Sequence, residues 1–318
     1  MNGAAAPGPI VIVAGPTASG KSALALALAE AFGGEIVNAD SMQVYRELSI
    51  LTARPSPAEE ARVPHHLYGV LSAAEICSAG LWLEMAVPVI EAIRARGAVP
   101  VICGGTGLYL KVLMEGIAPV PKVADWLVGA ARRLMDDLGA PGFHARLAAI
   151  DPEAAARLAP GDRQRLIRAY CVKMATGRTL SEWQAEQSAD PALSARFLNI
   201  VLAPDREALY RRIGARFDTM LETAGLDEAA ALRDLGLDPS LPAMKALGVP
   251  ELLAHLDGTM DLDDAVERAK QLTRNFAKRQ ATWFRGQMAA DLTFAGFGDA
   301  AVDAARSETE DFLRAGGA

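Results

Sequence analysis

Residues 15–22 read GPTASGKS, the Gly-x-x-x-x-Gly-Lys-Ser spacing of a phosphate-cradling loop. Gly15 opens such a loop, and the backbone N–H groups of Thr17, Ala18, Ser19, Gly20, Lys21 and Ser22 turn into one concavity. The helix after it adds its positive N-terminal end. Lys21 would reach phosphate oxygens, and the Ser22 hydroxyl would ligate Mg²⁺. The competing reading is a glycine-containing turn without a ligand. The flanks favour the loop: β-branched PIVIVA (9–14) reads as a buried strand, and SALALALAEAF as a helix.

Two further stretches carry polar groups where strands would end. In NADSMQVY (38–45), Asp40 closes the second strand candidate, EIVNAD. A carboxylate there can accept a proton from a nucleophile or hold Mg²⁺ through water. It can equally cap a following helix, with Ser41 as a competing cap. GGTGLYLK (104–111) follows the third strand candidate, AVPVICGG, and offers the Thr106 hydroxyl beside glycines that let the backbone approach a ligand. Its plain reading is a strand-to-helix turn. That strand ends in Cys-Gly-Gly, without the Asp that organises Mg²⁺ and water in nucleotide hydrolases. Energy-coupled hydrolysis is therefore disfavoured. PHHLYGV (64–70) holds two of the four histidines, without metal-ligand spacing, and reads as structural.

Strands alternating with helices imply a parallel α/β sheet with ligands at its carboxyl ends. Residues 80–96 read as a helix whose first turn is kinked or offset by Pro88. From 122 to 186 only helical segments occur, and FLNIVLAP (197–204) returns to strand character. Helices then run to the end, including 265–285, with Val266, Ala269, Phe276 and Trp283 as a core-facing stripe. The expected fold class is α/β, a P-loop core with a parallel sheet flanked by helices, plus an inserted all-helical domain. The core would occupy residues 1–121 and 197–318, and the insertion 122–196.

The 318 residues are 51% hydrophobic and 22% charged, an ordinary globular mix. No apolar run suits a membrane span, and the leading MNGAAAPGP lacks the traits of a signal peptide. Cys77, Cys103 and Cys171 lie far apart, so neither disulfides nor zinc are expected, and a cytoplasmic setting is. The net charge of −7 alone argues against nucleic acid. Locally the balance reverses, with nine basic against six acidic residues in 126–185 and six against one in 266–285. Arg165 and Arg168 share a helical face, as do Arg274 and Lys278. Such charge usually marks a solvated face. Two basic helices in an acidic chain also suggest a polyanion groove.

Eleven stretches, in order, resemble the bacterial tRNA dimethylallyltransferases from about Val11 to Arg285. They are GPTASGKS, NADSMQVY, TARP, PHHL, GGTGLYLK, DPEAAARL, DRQRLIRAY, TGR, DREALYRRIGARFDTML, AMKALGVPEL and TRNFAKRQATWFR. The resemblance implies transfer of a dimethylallyl group from dimethylallyl diphosphate to N6 of the adenosine beside the tRNA anticodon. Diphosphate leaves, with Mg²⁺ as cofactor. Asp40 would be the base and Thr106 would lie near the reacting adenine, while Arg216 joins Gly15 to Ser22 around the diphosphate. Asp40, Ser41, Met42, Gln43 and Thr106 would touch the flipped base. Gln164, Arg165, Leu166, Ile167 and Arg168 would grip the anticodon stem-loop, and Arg274, Lys278 and Arg279 would meet phosphates. A monomer is expected. Two stretches depart from the family pattern. Leu51-Thr52-Ala53-Arg54 replaces Gly-Thr-Ala-Lys, and Arg168-Ala169-Tyr170-Cys171 replaces Arg-Ala-Leu-Glu; Arg54 receives no role. The alternative on the loop alone is an ATP-dependent P-loop kinase of a small molecule or nucleotide. A free nucleotide as prenyl acceptor would leave the basic insertion little to grip.

Overall fold

The computed structural model describes residues 7–186 and 192–315; most of the N-terminal leader and the end of the insertion lie outside them. The chain divides into two compact units, Met1–Met114 with Ala192–Ala318, and Glu115–Pro191.

In the first unit, short β-branched runs form six strands: β1 (Gly8–Ala14), β2 (Gly34–Asn38), β3 (His65–His66), β4 (Val99–Gly104), β5 (Ala195–Leu202) and β6 (Leu292–Phe294). They build one sheet in the order β3-β2-β4-β1-β5-β6, and every pairing is parallel. Strand alternation sends Ile10 and Ile12 to one face and Val11 and Val13 to the other, all fully buried. The first face packs on the helix Ala79–Ala95 through Trp82, Ile90 and Ile93, and on Phe284 of the helix Leu262–Gln287. The second packs on Leu24 and Leu28 of the helix Lys21–Phe32 and on Ala305 of the helix Val302–Arg314. A parallel sheet covered on both faces is the arrangement such continuous apolar strands require. Each fully buried aliphatic side chain contributes about 1.5–3 kcal/mol.

Strand register sets the height at which the loops emerge. Cys103 of β4 stands opposite both Val13 of β1 and Asn38 of β2, and Ala14 stands opposite Val201 of β5. The carboxyl ends of these strands are therefore level, and the loops leaving them share one edge of the sheet.

Several elements differ from the reading of the sequence. Pro88 sits in the middle of the helix Ala79–Ala95, not in its first turn. A mid-helix proline costs about 3 kcal/mol, and the buried face of Trp82, Leu83, Ala86, Ile90 and Ile93 outweighs it. The buried face of Leu262–Gln287 is Ala265, Ala269, Thr273, Ala277, Gln280 and Phe284. Of the expected stripe, Ala269 is fully buried and Val266 and Trp283 pack against the core from its flanks, while Phe276 is only partly buried. Bulk suggests the other stripe, yet small residues face inward so that the helix can approach the sheet. Strand β6 is three residues long, too short to leave a pattern in the sequence. It is held by the Ala203 N–H donating to the Phe294 carbonyl, 2.8 Å, and by the Asn199 N–H donating to Asp291. Among the described residues, no helix is long and apolar enough to cross a membrane.

The second unit is helical: Asp125–Ala148, Pro152–Arg157, Arg163–Thr176 and Leu180–Ala185. Gly139, at φ 65°, interrupts the first of these. The side chains of Asp151, Asp162 and Thr179 cap the other three by accepting backbone N–H groups. Met135, Phe143, Leu147, Leu166 and Val172 are fully buried in a core of its own. Val120 packs against that core, and β5 already begins at Ala195, so the unit's limits fall before the 122 and 196 that composition suggests.

Candidate active site

The phosphate loop leaves β1 after Ala14 and enters the helix at Lys21. Ala18 (φ 64°) and Gly20 (φ 85°) adopt left-handed backbone, which curls the loop inward. A Cβ on Gly20 would stand 2.8 Å from the Gly298 nitrogen, whose N–H donates to the Ser19 carbonyl at 3.0 Å. The loop is thus fixed from outside by the segment after β6. Two of its amides are engaged internally: the Ser19 N–H donates to the Pro16 carbonyl at 3.2 Å, and the Thr17 N–H to Gln280 Oε1 at 2.8 Å. This corrects the expectation that every N–H from Thr17 to Ser22 is offered to a ligand.

Three charges meet at the loop. Lys21 and Arg216 are both partly buried, and desolvation lowers the pKa of each. The charge of Asp40 opposes that shift in both cases. Arg216 Nη2 donates to Thr17 Oγ1 at 2.5 Å. Its Nε is buried without a partner among the described residues, a cost that an anion's oxygens would remove. Two cations and one anion, partly desolvated, form a net positive site suited to a polyanion.

Asp40 lies two residues beyond β2, which stops at Asn38, so its position is set by a loop and not by the strand. Fully buried Asn38 builds that loop. Its Oδ1 accepts the Asp40 N–H at 2.8 Å, and its Nδ2 donates to the carbonyls of Asp40 and Leu67. Trp82 Nε1 donates to the Asn38 carbonyl at 2.8 Å. Asp40 Oδ1 accepts the Met42 N–H at 3.0 Å, closing a turn; no helix comes after it. A carboxylate accepts through two oxygens, so this turn leaves capacity for a further partner.

Thr106 supports the same loop from β4. Its Oγ1 accepts the Ser41 N–H at 2.9 Å, and its own N–H donates to the Ala39 carbonyl at 3.1 Å. Gly104 is required there, because a Cβ would lie 2.1 Å from the Ala39 oxygen. Gln43 turns away from this work: its Nε2 donates to the carbonyls of Thr52 and Ala53, both at 2.9 Å. The N–H groups of Ser49, Ile50 and Leu51 all donate to the Glu228 carboxylate at 2.8 Å. The segment that departs from the family pattern is therefore clamped from two sides.

Thr17, Asp40, Ser41, Met42, Arg216 and Arg279 line one cavity of about 280 Å³, with Leu51, Phe217, Met220 and Phe276 as its apolar wall. A second cavity, about 470 Å³, runs past Pro16, Arg206, Tyr210, Lys278 and Arg285. Adjacent Lys278 and Arg279 thus serve different cavities, and Arg274, bonded to Gln271, lines neither. Ser22 hydrogen-bonds Cys103, whose thiol burial pushes up to about 11. Among the described residues, no three His, Cys, Asp or Glu side chains converge as a metal cluster. His66 Nε2 pairs with Glu35 at 2.6 Å, and His65 Nδ1 with the Val63 carbonyl.

In the second unit, Gln164, Arg165 and Arg168 are exposed on the helix Arg163–Thr176. Leu166 is fully buried and Ile167 packs against the unit's core, so direct RNA contact is not available to Leu166.

Sequence reasoning missed Gln280 and Glu228. Both act across the chain, 263 and 177 to 179 positions from their partners; Gln280 lies within TRNFAKRQATWFR, beside the basic residues that drew attention to that stretch.

An IPP transferase family model matches residues 43–287, and an isopentenyl transferase model matches residues 8–68. A tRNA dimethylallyltransferase of Rhodospirillum centenum is 54% identical over 286 residues, 90% of this chain and 91% of that protein. One of Parvibaculum lavamentivorans is 52% identical over 306 residues, 96% of each. Among solved structures, the tRNA isopentenylpyrophosphate transferase of Bacillus halodurans aligns with a TM-score of 0.70 at 30% identity, covering 97% of each chain. A eukaryotic dimethylallyltransferase described as acting on tRNA aligns with a TM-score of 0.81 at 27% identity, covering 96% of this chain and 80% of that one.

Proposed function

This chain belongs to the tRNA dimethylallyltransferase family, and from that premise we propose that it transfers a dimethylallyl group from dimethylallyl diphosphate to adenosine N6 beside the tRNA anticodon. The observation that carries this reading is the convergence of Thr17, Arg216 and Asp40 on one cavity, with Lys21 electrostatically coupled to both charges. A polyanion cradle and a carboxylate share that space.

Cleavage of the allylic C–O bond sends its electron pair to the departing diphosphate and leaves cationic character on carbon. The amides of Ala18, Gly20, Lys21 and Ser22, with the Lys21 and Arg216 side chains, stabilise the diphosphate's charge as it develops. The N6 lone pair forms the new C–N bond, and the N6 proton passes to the Asp40 carboxylate. An exocyclic amine delocalised into its ring becomes nucleophilic only as that proton departs. Thr106 holds Ser41 and Ala39, and so keeps Asp40 in register with the loop. Ser41 and Met42 line the wall against which the base would sit. A base attacked at N6 must leave its stack to reach such a cavity.

Mg²⁺ needs few protein ligands where a diphosphate supplies most of its oxygens, so a site without a carboxylate cluster among the described residues is compatible with it. Ser22, at the end of the loop, would hold it, and when bound it neutralises leaving-group charge. In the second unit, the exposed Gln164, Arg165 and Arg168 would grip the anticodon stem-loop, with Arg279 as a phosphate contact at the cavity. The reading includes a monomeric enzyme that works where its substrate tRNA resides, in the cytoplasm. The relatives give a kinase reading of the loop no support.

Asp40→Asn keeps the oxygen that accepts the Met42 N–H and removes the base. Transfer to tRNA should fall by about 10²–10⁴-fold while donor affinity stays within a few fold. Turnover like the wild type would remove Asp40 from this role, and phosphoryl transfer from labelled ATP without prenyl transfer would overturn the function.

A further inference from the structure

Gln280 is a buried polar side chain on a helix whose inward face is otherwise composed of alanines, Thr273 and Phe284. Its carboxamide makes two bonds. Oε1 accepts the Thr17 N–H at 2.8 Å, and Nε2 donates to the Gly105 carbonyl at 2.8 Å. One planar group thereby ties the phosphate loop to the turn after β4. A Cβ at position 105 would stand 2.3 Å from Gln280 Nε2 and displace the carboxamide. The contact is built for close approach on both sides.

Each end of this tie continues into the reaction site. From Thr17, the side-chain oxygen takes the Arg216 guanidinium. From Gly105, the next residue, Thr106, holds Ala39 and Ser41 on either side of Asp40. The carboxamide thus sets the separation between the group that holds a leaving diphosphate and the group that holds the base. It also stands in the partition between the two cavities, because Pro16 lines one and Thr17 the other.

We propose that Gln280 is a positioning residue for group transfer, fixing the phosphate loop and the Asp40 loop at the spacing that in-line displacement requires. This rests on the proposed transfer reaction and adds a residue to it. A misplacement of about 1 Å between reacting groups costs roughly 10²-fold in rate. Asparagine carries the same planar acceptor and donor but is one methylene shorter, so glutamine is the carboxamide with the reach this contact uses. Methionine has the length and neither group; glutamate, when ionised, keeps the acceptor and loses the donor.

The test compares wild type, Gln280→Met, Gln280→Glu, Gly105→Ala and the Gln280→Met/Gly105→Ala double variant. Single-turnover transfer, the KM for tRNA, the thermal midpoint and the affinity for inorganic diphosphate are measured for each. The expected result is a fall in kcat of about 10- to 100-fold for Gln280→Met and Gly105→Ala. The tRNA KM should stay within about twofold, which a general loss of structure would not preserve. The double variant should be no worse than the poorer single, because both remove the same link. Should Gln280→Met not fold, Gln280→Glu retains the volume and the acceptor and carries the same expectation. A kcat within twofold of wild type in a folded variant, or losses that multiply in the double variant, overturns the proposal. If wild type transfers no dimethylallyl group, the proposed function fails instead. Diphosphate affinity then still reports on the tie, with unchanged affinity in Gln280→Met counting against it.

Discussion

The loops at the carboxyl ends of β1, β2 and β4 and the exposed face of the helix Arg163–Thr176 both carry charged and polar groups, and they hold them in opposite ways. In the loops, groups are tied to remote residues: Ser41 to Thr106 across 65 positions and Thr17 to Gln280 across 263. Lys21 and Arg216 are partly buried. On the helix, Arg165 pairs, among the described residues, only with Asp162 three residues before it, and its side chain is 76% exposed. Dipoles and charges held rigidly away from water act strongly on a developing charge without reorganising. Exposed ones are screened beyond about 8–10 Å and contribute little to stability, which leaves them free to meet a polyanion. The first region is built for rate and the second for association.

Substitutions can break that contrast. The largest effect is expected from Lys21→Met, which removes a leaving-group contact and should lower kcat/KM about 10²–10³-fold, measured with saturating tRNA. That loss should change little between low and moderate salt. The smaller effect is expected from Arg165→Ala and Arg168→Ala. Each should leave kcat within about twofold, weaken tRNA binding, and reduce the slope of log affinity against log salt by about 1. A salt-dependent defect in Lys21→Met, or a lost kcat in Arg165→Ala, would dissolve the distinction between the regions.

The same contrast explains what can be read from the chain alone. The phosphate loop, the strands β1, β2, β4 and β5 and the helical insertion are encoded locally, by periodicity and by glycine spacing, and are legible. The Asp40 loop is legible only in part. Its catalytic and capping readings are equally good until Asn38, Trp82 and Thr106 fix it as a turn. Gln280 and Glu228 are not legible, because a hydrogen bond across more than a hundred residues leaves no pattern in either segment. Leu166 fails for a different reason. A contiguous motif on a helix must alternate between faces, so a stretch read as one RNA-binding unit necessarily sends some members into the core. The stripe on Leu262–Gln287 is read only in part for a similar cause, since Val266 and Trp283 reach the core from the flanks and mostly small residues pack inward.

The loop's ligand, on this mechanism, is a prenyl donor whose diphosphate departs as the alkyl group moves to tRNA, not a nucleotide whose phosphate is passed on. Nucleoside mass analysis of tRNA after incubation with the protein, Mg²⁺ and dimethylallyl diphosphate separates the two. The expected outcome is a dimethylallyl mass gain confined to the adenosine beside the anticodon, with one diphosphate released per modified nucleoside. Unmodified tRNA, or a gain spread over other nucleosides, would contradict it.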